Sequence, residues 1–538
     1  MRTTRTILRR LSLFTLIVCG AVACRERDRR IDEPLDVLGP VSIAGGLMYT
    51  ERSRSLAFFV DLSDDRGLVR TAALGHDPVV LAARPGQPEA VVLSRGERGR
   101  TGVRPEAATV TAVPAAPGVA ARTYTVGSPF NAMALTDDGR FALVYFRPET
   151  AMGRLLFNPN EIAVVDLQAP AGPGNPVLRT VRSFGGIPNS VVFSPPISIR
   201  GERRTIAVVL SDAYVTLIDL NHLDRSEVSV RLTLPEDPRA IGPQQVLFDV
   251  DDPTLYIRAS ASNDVYVVRL NETMPDGPTG NDFRPTINQL GAGREPADMA
   301  LFGAGAARRL LVVSRASQEV RVVDARSNAI AVVPLDARAD RVLMFEGPAP
   351  HDTVVARRAL LYSADASASA VTFLDLGDVE QRRGQNVETI QLGRAIRVAL
   401  PLPDRNAVMF EHVETSSAGR LSLLDLHRRT ASPIFAEVSL QGAQFDGDRQ
   451  LLWVAPQTGT RLGYIDLRSY HPGEVRLDAN VSSVVPIVGD PMGRNRVAAL
   501  HNSAGGHLTV IDGADPLRDT AFALRGFVLT GVLDREAP

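Results

Sequence analysis

Residues 371–376 read VTFLDL, and close variants of this string return along the whole chain. The others are LAFFVDL (56–62), EIAVVDL (161–167), VTLIDL (215–220), VYVVRL (265–270), VRVVDA (320–325), LSLLDL (421–426), LGYIDL (462–467) and LTVIDG (508–513). Their acids are Asp61, Asp166, Asp219, Asp324, Asp375, Asp425, Asp466 and Asp512, and Arg269 holds the slot in one copy. From Asp166 onward the steps are 53, 50, 55, 51, 50, 41 and 46 residues. The first gap, from Asp61 to Asp166, is about two steps, with ATVTAV (108–113) near its middle. A period of about 50 residues marks a repeat architecture.

Each period holds four strand-like runs. Residues 297–335 show them plainly as ADMALFG, RRLLVVSRAS, EVRVVDAR and AIAVVPL. The runs are short, rich in Val, Ile and Leu, and bounded by Gly, Pro, Asp and Asn. No segment of comparable length carries a 3.6-residue apolar period. Four strands per unit is the pattern of a β-propeller blade, so the expected fold class is all-β. Ten units begin near residues 45, 78, 130, 189, 244, 297, 341, 395, 443 and 482, and seven to ten blades fit the pattern. The first unit opens on GLMYT without a leading strand, while FVLTGVL (527–533) follows the completed tenth. The expectation is a single ring closed by the C-terminal strand, which would remove two exposed edges.

Three stretches carry a family likeness: TDDGRFALVYF (136–146), TLYIRASASNDVYVVRL (254–270) and SQEVRVVDARSNAIAVVPL (317–335). They resemble the YVTN-type, lactonase-like propeller repeats of bacterial surface and periplasmic proteins, although the literal Tyr-Val-Thr-Asn string is absent. The resemblance spans nearly the whole mature chain. It implies a propeller that serves as a binding or scaffold module for a protein or envelope polymer. It also implies an alternative, a lactonase-like hydrolase with its site in the central channel and a divalent metal.

Composition narrows the chemistry. Net charge is −2, from 59 Arg against 61 Asp plus Glu, with no lysine. That balance argues against a nucleic-acid partner, which normally demands a basic excess on one face. The missing amine excludes Schiff-base, P-loop and Ser–Lys chemistry. Cys19 and Cys24 are the only cysteines, so no disulfide is expected in the mature domain.

Both cysteines fall in the first 24 residues, MRTTRTILRRLSLFTLIVCGAVAC. A basic start precedes an apolar stretch, Leu11 to Ala23, that is too short to span a bilayer but suits a signal-peptide core. The segment resembles the leader of bacterial lipoproteins, with small residues before a lipidated Cys24. Arg25 follows that cysteine, and the resemblance then implies an outer-membrane lipoprotein facing periplasm or cell surface. The domains read as leader 1–23, charged tether 24–40 and propeller 41–538.

No motif for a known catalytic class occurs: H-E-x-x-H, C-x-x-C-H, G-x-S-x-G and G-x-G-x-x-G after a strand are all missing. Catalytic residues are unassigned and no cofactor is expected. The recurring acids, near the ends of third strands, read as turn-fixing residues. His501 and His507, in HNSAGGH, are the candidate metal ligands, two without a third nearby. Trp453 reads as core, and the arginine pairs 203–204, 308–309, 357–358, 382–383 and 428–429 read as a solvated rim. Labelling cells with a lipid precursor should mark the wild-type protein and leave Cys24→Ser unmarked; equal labelling would remove the anchor.

Overall fold

The computed structural model describes residues 36–529, except 65, 98–105, 148–157, 182–185, 234–240, 348–355, 366–367, 378–385, 403–405, 414–420, 435–439, 441–442, 447–449, 456–458, 504, 514–515 and 517–521. Residues 1–35, which include the expected leader with Cys19 and Cys24, and the arginine pair 382–383 lie outside the described residues.

Ten four-stranded antiparallel sheets follow one another in chain order. These blades span 37–73, 78–127, 132–180, 190–231, 243–291, 296–334, 341–391, 396–434, 444–476 and 481–525. The protein is a ten-bladed β-propeller, and the unit starts expected from the repeat agree with the sheets except at the first. There the leading strand is Val37–Ile43, paired to Gly46–Glu51 with a register shift between Leu38 and Val41. Gly39 and Pro40 sit at that irregularity, where Pro is tolerated at a bulge. The first unit thus has the leading strand that its sequence pattern does not show, and that strand starts at Val37, within residues 24–40.

The closing strand expected at 527–533 is therefore a correction. Blade 1 uses its own leading strand, and blade 10 ends on Phe522–Arg525. Residues 527–529 form a helical turn instead, while 530–538 lie outside the described residues. Phe527 and Val528 are each only 3% exposed and fill the seam between blades 10 and 1. The Phe527 ring lies 5.5 Å from Tyr49 and 6.5 Å from Phe58, and burial raises the Tyr49 hydroxyl pKa. Backbone contacts close the same seam: Gly45 N–H donates to the Val488 carbonyl at 2.8 Å, and Arg496 reaches the Leu62 carbonyl.

In most blades the second and third strands are buried on both faces, so they read as unbroken apolar runs such as LAFFVD and IAVVL; the third strand of blade 9, RLGYID, is more exposed. Fourth strands face solvent on one side and alternate, as in IAVVP (330–334). First strands of neighbouring blades approach one another and line the axis. Strands alternate in direction, so hairpins between second and third strands open at the same end as the blade-to-blade connections. First-to-second and third-to-fourth turns open at the other end.

Phe527→Ala should remove roughly 3 kcal/mol or more of stability by leaving a cavity in the closing seam. Urea denaturation checks this; an unchanged midpoint would mean the seam holds without that ring.

Candidate functional site

The recurring acids stand on the end that carries the third-to-fourth turns. Each of the eight is the last residue of a third strand. Oδ1 accepts the backbone N–H two residues on at Asp61 (3.0 Å), Asp166 (2.9 Å), Asp219 (3.0 Å), Asp324 (2.9 Å), Asp425 (2.9 Å) and Asp466 (2.8 Å). This local bond holds the turn into the fourth strand. Four of the carboxylates also take an arginine at or near the start of the second strand: Arg140 on Asp166 (3.1 Å), Arg204 on Asp219 (3.1 Å), Arg309 on Asp324 (2.9 Å) and Arg358 on Asp375 (2.5 Å).

The arginine pairs thus divide. Arg203, Arg357 and Arg428 are exposed, as expected of a rim. Arg204, Arg358 and Arg429 are buried against carboxylates, which corrects the rim reading for one member of each pair. At 203–204 and 357–358 adjacent residues of extended chain point to opposite sides, so one faces water and the other the blade, while Arg429 is turned inward by the tight turn before the fourth strand. Two blades depart from the pattern. Blade 2 carries its acid on the second strand, where Glu89 meets Arg84 (2.5 Å) and Arg122 (2.8 Å). In blade 5 Arg269 stands in the acid's slot and donates to the Ala325 carbonyl at 3.0 Å.

The opposite end holds the only His/Asp cluster with metal-ligand geometry among the described residues: Asp478, His501 and His507, whose ligand atoms lie within 4.8 Å of one another. His501 ends the second strand of blade 10 and His507 begins the third. Their rings are 4.2 Å apart and tilted by 37°. Asp478 comes from the connection that returns the chain from blade 9 to the innermost strand of blade 10. It lies 23 residues before His501, and the blade-to-blade turn brings it into range; no local spacing announced it. His507 Nε2 lies 3.4 Å from Asp478 Oδ1. His501 Nδ1 is 3.1 Å from the Asn480 carbonyl and its Nε2 is 2.8 Å from Thr509 Oγ1. Burial, and then the neighbouring His501, lower the His507 pKa, so the ring is neutral near pH 7. The Arg525 hydrogen bond lowers the pKa of Asp478 and keeps it ionised.

At this same end an arc of polar groups crosses the start of the first strands in blades 5 to 7. Arg258 Nε donates to Gln245 Oε1 (3.1 Å), Gln245 Nε2 donates to Asp298 Oδ1 (2.8 Å), and the Val342 N–H donates to Asp298 Oδ2 (3.0 Å). Arg315 lies 3.6 Å from Asp340, which also accepts from Ser363 (3.1 Å). Burial lowers the Arg258 pKa, and Arg341 and Arg315 lower it further while Asp298 opposes them. The other end carries a cleft of about 500 Å³ between blades 9 and 10. Its charges are internally matched, since Asp490 takes both Arg494 (3.2 Å) and Arg496 (2.7 Å). Trp453 is fully buried in the second strand of blade 9, its ring 5.6 Å from that of Tyr464.

No family model matches the chain, and no curated protein does. Among solved structures, dihydro-heme d1 dehydrogenase NirN in complex with DHE shares 12% identity at a TM-score of 0.37, covering 90% of this chain and 74% of that one. Virginiamycin B lyase from Staphylococcus aureus shares 13% at 0.28, covering 61% and 94%. A functionally unknown protein from Desulfotomaculum acetoxidans shares 10% at 0.31, covering 69% and 95%. With TM-scores this low these likenesses carry no argument about activity, and the propeller rests on the strand pairing itself.

Asp324 illustrates how the turn acids act on stability. Its pKa is lowered chiefly by the Ser327 backbone N–H, with Arg326 and Arg309 adding to this, while burial opposes them. A carboxylate depressed in the folded state stabilises the fold above its unfolded pKa of about 3.9 and loses that contribution as pH falls through the folded value. Asp324→Asn should therefore lower stability at pH 7, and its gap to wild type should close as pH falls below about 4. Denaturation midpoints across that range check the sign.

Proposed function

We propose that the chain is a lipid-anchored propeller of a bacterial cell envelope that binds or scaffolds a protein or an envelope polymer. One observation carries this reading: a braced protrusion on blades 4 and 5 that breaks the ring's regularity. An extra hairpin, Ile197–Ile199 with Glu202–Arg204, is inserted between the first and second strands of blade 4. Beside it, the third and fourth strands of blade 5 run long, at Asp264–Glu272 and Phe283–Gly291.

The two extensions hold each other. Ile197 and Ile199 are buried in one cluster with Leu270 and Phe283. The Arg200 N–H donates to Glu272 (2.6 Å), and the Ser226 N–H donates to the Thr279 carbonyl (3.2 Å). Buried Arg204 spans Asp219 (3.1 Å) and Asp282 (2.7 Å), and Arg225 also pairs with Asp282. Above this packed base the tip exposes Met274 and the Arg284–Asp276 pair. A rigid scaffold with exposed loop tips suits recognition. The lipoprotein-like leader and charged tether support an envelope location, and the near-neutral charge supports a partner other than nucleic acid.

A second reading, a lactonase-like hydrolase with a metal at the channel mouth, is favoured by the other end. There the Asp478–His501–His507 cluster and the polar arc of blades 5 to 7 share one face. Lactone turnover by the purified protein, with and without divalent cations, tests it directly. For the first reading, a photo-crosslinking residue at Met274 in cells should give a defined adduct with one envelope component. The same residue at Leu178, exposed on the outer strand of blade 3, should not. Matching patterns from the two positions would overturn the binding reading.

A further inference from the structure

We propose that Asp478, His501 and His507 form a binding site for a divalent transition-metal cation of the Zn²⁺ class. The inference stands on the cluster alone and does not depend on the protrusion or on any partner.

The donor set selects the ion. Two imidazoles and one carboxylate suit Zn²⁺ and its neighbours in the transition series, whereas Ca²⁺ and Mg²⁺ favour oxygen donors throughout. Three protein ligands leave a fourth position open, as in metal sites that bind water or a ligand.

The hydrogen bonds fix which ring atoms are available. A carbonyl only accepts, so the 3.1 Å contact from His501 Nδ1 to the Asn480 oxygen places the proton on Nδ1. His501 Nε2 then holds the lone pair, and it now faces the Thr509 hydroxyl at 2.8 Å. An imidazole whose remote N–H is tied to a backbone carbonyl is the usual outer arrangement of a metal-bound histidine. Metal binding would replace one threonine hydrogen bond and keep the tie to Asn480.

His507 supplies the independent observation. The residue is only 9% exposed, and its Nε2 makes no hydrogen bond. Leaving a buried ring nitrogen unsatisfied is unfavourable. That nitrogen stands 3.4 Å from Asp478 Oδ1. Two ligands bound at about 2.0–2.1 Å to a tetrahedral ion are separated by about 3.4 Å, so one cation between them would satisfy both atoms. Asp478 Oδ2 already pairs with Arg525, which leaves Oδ1 to the ion and steadies the carboxylate from behind.

Blade 8 provides an internal comparison. His412 ends its second strand, and its Nε2 contacts Ser422 Oγ at 2.7 Å, matching His501 and Thr509. Yet the sequence has Gly393 and Arg420 where blade 10 has Asp478 and His507. A histidine beside a hydroxyl thus recurs in blades 8 and 10, and the two further donors of blade 10 are absent from the blade 8 sequence.

Chelator-treated full-length protein titrated with Co²⁺ tests the site. Wild type should develop visible d–d absorption of a tetrahedral complex at one equivalent, lose it on adding Zn²⁺, and melt at a higher temperature with either ion. His507→Leu and Asp478→Asn should each weaken Co²⁺ binding by more than about tenfold. Arg525→Gln should still bind. Far-UV circular dichroism confirms folding; if His507→Leu does not fold, the more exposed Asp478→Asn decides. Absence of a d–d band in wild type, or equal Co²⁺ affinity in folded Asp478→Asn, would overturn the proposal.

Discussion

The structure depends on burying both faces of every blade against its neighbours. Ten apolar clusters fill the ten interfaces, each shared by two adjacent blades, with the last joining blades 10 and 1. A single four-stranded sheet exposing two apolar faces could not persist in water, so each blade is stable only within the row. An open row would leave two such faces uncovered at its ends. Closing the ring covers them, and the seam does so with packing: Tyr49, Phe58 and Phe527 meet across it. Side chains can close a ring without a strand crossing the seam, provided the first blade owns its leading strand.

Closure also fixes where chemistry can be placed. Alternating strand direction sends the turn acids and their arginines to one end, together with the braced protrusion. The His/Asp cluster and the polar arc of blades 5 to 7 fall at the other, beside the innermost strands. At the first end, charge is spent on geometry: Asp219, Asp324 and their equivalents bind their own turns and the arginine across the sheet. Where such a pair is buried, as Arg204–Asp219 is, desolvation offsets much of its attraction, while removing one partner would strand the other charge.

The period, the four strands per unit and all but one unit start were legible because the pattern rests on local features: apolar runs, turn residues and a terminal acid. What was illegible depends on the ring. VLGPVSI lacked a strand pattern because Gly39 and Pro40 interrupt it, although pairing with 46–51 makes it the first strand. Arg204 and Arg358 looked solvated beside Arg203 and Arg357, since burial is decided by which residue faces the third-strand acid. His501 and His507 stood out as a pair, but Asp478 was an unremarkable acid in a connection until the next blade turned it toward them.

Repetition supplies its own controls, which is what makes the departures informative. Where blades agree, a residue is explained by the fold, as His412 with Ser422 explains His501 with Thr509. Where a blade departs and restores charge balance nearby, as Glu89 does with Arg84 and Arg122, the departure is a rearrangement of the same brace. The blade 4 hairpin and the extended strands of blade 5 are a different case. They bury new side chains and ion pairs to hold up a tip that the ring does not need. His507 differs again, because it brings a buried nitrogen to within 3.4 Å of a carboxylate without a hydrogen bond. Departures that the packing leaves unsatisfied, with donors of one ligand chemistry gathered around them, are the places to look for a ligand.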